Sequence, residues 1–444
     1  MLKCGFYEMD ITPFLGCGMP GYFHRRPAGE VFDKLYARAW VTGNGKNTVA
    51  VAAVDNGGLP RPVIGRIKDR VKTLTGISPE QVLIGCSHIH QGGPDAGGGI
   101  DEDEQYLEFI TRRVADTIAL AAQRLEPSEL RFGKGFLDGY SFCRIYNMEG
   151  GGLQTNPFGM NTKSSRNEAR RAVLGPYRKI DKSVYVVEIR QKGKPAGILV
   201  NFTCHCDVVG SETAVSADYP GELRRVLKEH YGHDTAVLFL QGPCGDINHV
   251  DAFHVDETKH PKRYLEIGRA LAEEAITILG HTEPLKGEEV LAAGRDLPMP
   301  LRKPDKKLLA WSEKIIDEIP EDLKALCDFD TGQVDLFFAK KYKAAHESGE
   351  TVQPVFLQVL KIGDLGIYAS PGELFSEYGD ELMAKSAFEH TIVAGYSNGL
   401  VGYVVTPECY AEGVYEARQT VFEPPGGAAM NAELLSLGEG LKQR

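Results

Sequence analysis

The 444-residue chain is 42% hydrophobic, 25% charged and 9% aromatic, the balance of a globular protein with ample core. Its formal net charge of -11, without Lys/Arg blocks, excludes nucleic acid as an expected partner. No apolar run reaches the length of a transmembrane segment, and the opening MLKCGFYEMDITPF has early acidic residues and no long apolar stretch, unlike a secretory signal.

Apolar runs of strand length alternate with helix-period segments. TVAVAAVD (48–55) is a strand, and VIGRIKDRVKTLTG (63–76) places Val63, Ile64, Ile67, Val71 and Leu74 on one helical stripe ending at Gly76. QVLIGCS (81–87) is a strand, followed by a helix over YLEFITRRVADTIALAAQRL (106–125). SVYVVEI (183–189) and GILVNFT (197–203) are strands, YPGELRRVLKEHYG (219–232) a helix with Pro220 at its start, and AVLFLQ (236–241) a strand. A helix over 264–280 follows, stopped at Gly280. Residues 281–353 are charged and fairly helical, and read as an outer helical insertion. VFLQVLKI (355–362), LGIYAS (365–370) and TIVAGYS (391–397) complete the strands. The runs alternate little between apolar and polar, which predicts strands buried on both faces. The expectation is an α/β protein, a layered sandwich of central β-sheets flanked by helices, forming one domain over 1–444. Nine cysteines with no CxxC pair predict reduced thiols and a cytoplasmic protein.

Polar residues recur just past the apolar runs: Asp55, His88 and His90, His205 and Asp207, Asp246 and Asn248, Glu373, Asn398 and Tyr403. In α/β proteins such strand ends converge on one crevice. His88 and His90, two apart on a strand, would point to one side. The pair reads either as zinc ligands or as hydrogen-bonded strand-end residues; His205 and Glu373 in similar settings favour metal. QGPCGDIN lacks the Lys and Ser/Thr of a phosphate cradle, so Asp246 reads as a turn residue bonding backbone amides. Cys204 and Cys206 should face away from His205 as buried, inert thiols.

The blocks DITPFLGCGMPGY, LYARAWV, CSHIHQGGPD, NFTCH, SADYPGEL, QGPCGDIN, ASPGEL and GYSNGLVGYVVTPECYAEGVYEA run in order across nearly the whole chain. In them the sequence resembles the catalytic domain of the neutral (non-lysosomal) ceramidase family, without that family's C-terminal immunoglobulin-like domain. The resemblance implies a neutral-ceramidase-like fold and a zinc site with His88, His205, Glu373 and Tyr403 as ligands. It implies His90 as proton carrier, with Tyr415 and Arg144 beside the reacting carbonyl. One position departs: where the family reads GDVSPN, this chain reads GDINHV, so Asn248 replaces a serine and His249 a proline. The departure bears more on ceramide as substrate than on zinc hydrolysis.

The activity so implied is zinc-dependent hydrolysis of a linear amide (N-acyl) bond by a metal-activated water. His90 would carry the proton, Tyr415 and Arg144 would stabilise the oxyanion, and Asn248 would position water or substrate. Asp207 or Asp218 would orient a ligand histidine through its second nitrogen. The substrate is a small-molecule or lipid-like amide. The alternatives are a zinc esterase or deacylase acting on a small polar N-acyl or O-acyl compound, and a metal-binding protein whose catalytic site has degenerated.

Overall fold

The computed structural model describes residues 1–95, 100–157, 173–319, 333–424 and 426–444. The first sheet holds β1 (Lys3–Asp10), β2 (Tyr36–Gly43), β3 (Thr48–Val54) and β4 (Val82–Cys86), in the order β4-β3-β2-β1 with the short strand Glu126–Pro127 at its edge. The second holds β5 (Glu129–Phe136), β6 (Ser183–Gln191), β7 (Lys194–Phe202) and β8 (Ala236–Gln241), ordered β8-β7-β6-β5 with Glu283–Pro284 outermost. The third runs in chain order through β9 (Val290–Pro300), β10 (Val352–Ile362), β11 (Leu365–Ala369) and β12 (His390–Ala394). Each expected apolar run falls on one of these strands.

Both faces of the sheets are covered, which accounts for the unbroken apolar runs. Along β2 and β3, Ala37, Ala39, Val41, Ala50, Ala52 and Val54 meet the helices α1 (Arg61–Thr75) and α2 (Asp101–Ala122). Trp40, Val49, Val51 and Ala53 alternate with them and point the other way, into a core shared with Val187 and Leu199 of the second sheet and Leu360 and Ile367 of the third. Three sheets thus meet at one apolar centre. Helices α3 (Asp218–Tyr231) and α4 (Arg263–Leu279) cover the outer face of the second sheet through Leu223, Leu227, Leu271 and Ala275.

The segment 281–353 is not purely a helical excursion. It begins with β9, which pairs antiparallel with β10 along its whole length, Val290 opposite Ile362 to Pro300 opposite Val352. It then forms α5 (Lys306–Glu318) and α6 (Gln333–Ser348); 320–332 lie outside the described residues. Helices α7 (Ser376–Lys385) and α8 (Gly426–Lys442) pack on the third sheet, Leu382, Met430 and Leu434 sharing its core with Leu357 and Val393. Among the described residues, no helix is long and apolar enough to cross a membrane.

Each sheet contains a parallel pair: β3 with β4, β7 with β8, and β11 with β12. The chain leaves these pairs in the same direction, and the loops at their carboxyl ends carry the polar residues singled out in the sequence.

Candidate metal centre and its pocket

β4 ends at Cys86, so the two histidines lie beyond the strand rather than on it. The expected strand geometry does not hold: His88 has φ 61, in the left-handed region, which costs of order 1–3 kcal/mol in a non-glycine residue. What holds it is local. Its N–H donates to Asn56 O at 3.0 Å, and its ring stacks on Tyr396 with centroids 3.7 Å apart and planes at 21°. Tyr396 and Asn398, in the loop after β12, are themselves at φ 50 and 63. Ile89 bridges to Cys206, and His90 N–H donates to Cys206 O at 3.0 Å, which draws the histidine loop onto the chain leaving β7. His88 and His90 still converge, with their Nε2 atoms 3.4 Å apart.

His205 follows β7 and brings its Nε2 to 3.1 Å from that of His88. Glu373 and Tyr403 arrive together as register partners in a two-residue parallel ladder, Glu373–Leu374 beside Tyr403–Val404. Glu373 Oε2 lies 3.8 Å from His88 Nε2 and 3.5 Å from His205 Nε2, and the Tyr403 hydroxyl bonds the Glu373 carboxylate. The four expected ligands and His90 therefore meet at one point.

The second nitrogens of the histidines decide what that point can hold. His88 Nδ1 donates to Gly57 O at 2.9 Å and His205 Nδ1 to Cys244 O at 3.0 Å. A carbonyl oxygen only accepts, so each Nδ1 carries a proton and Nε2 is the nitrogen each ring can offer to a metal. Burial pushes His88 well below the usual histidine range and His90 down to about 4. The Nε2 atoms of His88 and His205 thus face one another at 3.1 Å, beside a buried Glu373 Oε2 that has no hydrogen-bond partner among the described residues. Such an arrangement is unfavourable unless a cation lies among the three atoms. The donor set of imidazole nitrogens, a carboxylate and a phenol fits a divalent metal of the zinc type.

The backbone, not a carboxylate, orients His88 and His205 through their Nδ1 atoms, which corrects the expectation for Asp207 and Asp218. Asp207 pairs with His249 Nδ1 at 3.2 Å, and Asp218 accepts from the N–H groups of Val208 and Val209. Asp246 does bond backbone, accepting from Ser376 N at 2.6 Å and from its hydroxyl at 2.8 Å. Cys204 and Cys206 are fully buried, and burial pushes both thiols well above their ordinary range.

A cavity of about 480 Å3 opens onto the cluster. His88, His90, Glu373, Tyr403 and Tyr415 line its inner part, and Tyr22, Phe23, Phe337, Leu400 and Val401 give it an apolar wall. Burial pushes the Tyr415 phenol up to about 12; its oxygen accepts from Gln419 Nε2 at 3.1 Å, which leaves its proton free to donate. Arg144 and Asn248 do not line this cavity. Arg144 lies behind Tyr403, its guanidinium 5.3 Å from the ring centroid, ion-paired to Glu416 at 2.6 Å and donating to Gly245 O at 2.7 Å. Asn248 spends its amide on Asn156 Oδ1 (2.9 Å) and on the N–H of Val250 (3.0 Å). Sequence reasoning missed Tyr396, the Gly57 and Cys244 carbonyls and Glu416; a carbonyl that any residue could supply leaves no signal to read.

No family model matches the chain, and no curated protein matches it in sequence. Solved structures do match. The neutral ceramidase from Pseudomonas aeruginosa superposes with a TM-score of 0.74 at 20% identity, covering 100% of this chain and 75% of that one. A ceramidase complexed with C2 gives the same TM-score of 0.74 at 19% identity, with the same coverage of 100% and 75%. The chain has a neutral-ceramidase-like α/β fold.

Proposed function

We propose that the protein is a zinc-dependent hydrolase of a linear amide (N-acyl) bond. The observation that carries the reading is the close approach of the His88 and His205 Nε2 atoms beside the unpartnered Oε2 of Glu373. These three residues and Tyr403 would hold the metal. When bound, zinc supplies Lewis acidity and lowers the pKa of water from about 15.7 to roughly 7.

The chain's own residues supply the rest. His90 is neutral, lines the cavity and stands 3.4 Å from His88, so its Nε2 takes the proton of the attacking water and returns it to the leaving nitrogen. Tyr415 keeps its phenolic proton and donates it as a hydrogen bond to the amide oxygen as charge develops there. Arg144 is a positioning residue: it fixes Tyr403 from behind through Glu416 and Gly245. Asn248 stands where the resembled family has serine, but takes no chemical part. The apolar wall suits an acyl chain, which supports a lipid-like or acylated small-molecule substrate. The eight described cysteines are free and buried, which fits a reducing compartment such as the cytoplasm.

Elemental analysis of the purified protein without added metal tests the reading. About one zinc per chain is expected, lost in His88→Ala and Glu373→Ala, together with hydrolysis of an N-acyl amide that those variants abolish. A chain that neither retains zinc nor takes it up on addition would refute the proposal.

A further inference from the structure

The cavity at the metal centre has a feature that amide hydrolysis does not use. Lys341, on α6, lines it, and so do Gln353 and Val421; these three also line a second cavity of about 180 Å3. Arg302 lines this side cavity too. The two cavities therefore adjoin, with Lys341 at their junction and Arg302 on the wall of the side cavity.

Among the described residues neither cation has a counter-ion. The Lys341 ammonium donates to the backbone oxygen of Gln419 and, at 3.0 Å, to its Oε1, both neutral acceptors. Arg302 donates to Ala417 O at 2.8 Å, and its guanidinium lies over the rings of Tyr342 and Tyr410, 5.0 and 5.1 Å from their centroids. Among the described residues no carboxylate forms an ion pair with either. Glu350 lines the side cavity but is exposed, and Asp95 lines the main cavity without pairing to Lys341. Glu373, the carboxylate whose charge Lys341 does feel, is committed to the histidine cluster. An ammonium held this way is costly. Burial draws Lys341 down to about 8, with Arg302 pushing the same way and Glu373 opposing. A half-buried cation with only neutral acceptors among the described residues, near a second cation and on the wall of a substrate cavity, is in the setting of a group whose counter-ion arrives with the ligand.

We propose that the amide cleaved here carries a carboxylate, which docks on Lys341 and Arg302 while the scissile bond lies at the metal centre. The inference rests on the hydrolase reading and deepens it by naming the substrate class: acylated compounds with an anionic end, as in an N-acyl amino acid, rather than neutral N-acyl alcohols.

A matched pair of ligands tests it. N-octanoylglycine and N-octanoylethanolamine share the acyl chain and the amide and differ in the carboxylate. Calorimetric titration of each into the purified, metal-replete protein should show the acylglycine binding about tenfold tighter or better. In Lys341→Gln that ratio should collapse towards one, while Lys341→Arg should keep it, which shows that charge and not wall packing is responsible. A ratio near one in the native chain overturns the inference. So does a preference that survives Lys341→Gln, because the carboxylate then binds elsewhere, the metal included. Turnover of the same compounds separates the two readings. Hydrolysis of both amides without a Lys341-dependent preference leaves the hydrolase standing and removes the anion site. A Lys341-dependent preference in binding without turnover of any amide leaves the anion site standing and removes the hydrolase.

Discussion

Arg144 and Glu416 offer the sharpest test of how the centre is held. Their side chains are 5% and 0% exposed and meet at 2.6 Å, and Glu416 has one other partner, the Thr155 hydroxyl at 2.6 Å. Burial pushes the Glu416 carboxyl up and the charge of Arg144 opposes it. Arg144→Met strands that carboxyl in a dry site, and Glu416→Gln strands the guanidinium among neutral groups, the Gly245 carbonyl and the Tyr403 hydroxyl. Breaking a buried pair from one side costs about 3–5 kcal/mol, a large part of the roughly 5–15 kcal/mol that holds a domain folded. The double variant Arg144→Met/Glu416→Gln leaves no stranded charge, so its loss in urea unfolding should fall short of the summed single losses by about 3 kcal/mol. The two single variants should also lower turnover alike with zinc retained, since each releases Tyr403 from behind. Additive stabilities, within about 0.5 kcal/mol, would refute the pairing. Turnover lost in Arg144→Met but spared in Glu416→Gln would refute the positioning role and return Arg144 to direct contact with substrate.

Other consequences are as concrete. Gly21 has φ +89, and a Cβ there would sit 2.4 Å from Cγ and Nδ1 of the His90 ring, so Gly21→Ala should displace His90 and cut kcat by up to about 100-fold while elemental analysis still finds zinc. Asn248→Ser removes the bond to Asn156 and should lower stability by about 1 kcal/mol in thermal unfolding without raising turnover, since the side chain faces away from the cavity. A chelator should lower the Tm of the native chain and leave that of His88→Ala unchanged; at a free metal concentration about 100-fold above Kd the bound ion contributes roughly 2.7 kcal/mol. Burial depresses the Lys341 pKa to about 8, with Glu373 opposing and Arg302 adding to the shift, so the ammonium is present below that pH and lost above it. The KM for an acylglycine should therefore rise between pH 7 and 9.5 in the native chain, and stay flat in Lys341→Arg, whose guanidinium keeps its proton.

The strands legible in the sequence are those whose two faces are both covered, because burial on both sides leaves an unbroken apolar run. β9 escaped for the opposite reason. Only Val290 and Met299 are buried along it, the rest being half-covered or exposed, and VLAAGRDLPMP carries Gly, Arg, Asp and two prolines, so nothing local marks a strand; eleven residue pairs with β10 make it one. The apolar runs also pointed to the place of the site, because the parallel pairs of three sheets send their carboxyl ends to one side. Composition and spacing did not reach the ligand set. Glu373 and Tyr403 sit on a ladder of two residues, too short for any periodicity, and only the likeness of ASPGEL and GYVVTPECY to a known family singled them out. The HxH spacing suggested convergence for a reason that does not apply, since His88 lies in a left-handed turn beyond the strand and faces His90 only because Asn56 and Tyr396 hold it there. Lys341 was hidden differently. In LFFAKKYKAAHESGE it is one cation of a charged helical stretch, and such stretches are usually solvated. Its burial against Gln419, a residue far along the chain, takes it out of that class. The chemistry implied by these residues was therefore readable from their types, but which of them lack a partner became visible only once the loops that face them were in place. The facing Nε2 atoms, Glu373 Oε2 and a Lys341 ammonium with no carboxylate paired to it among the described residues are the groups on which the proposed metal and anion sites stand.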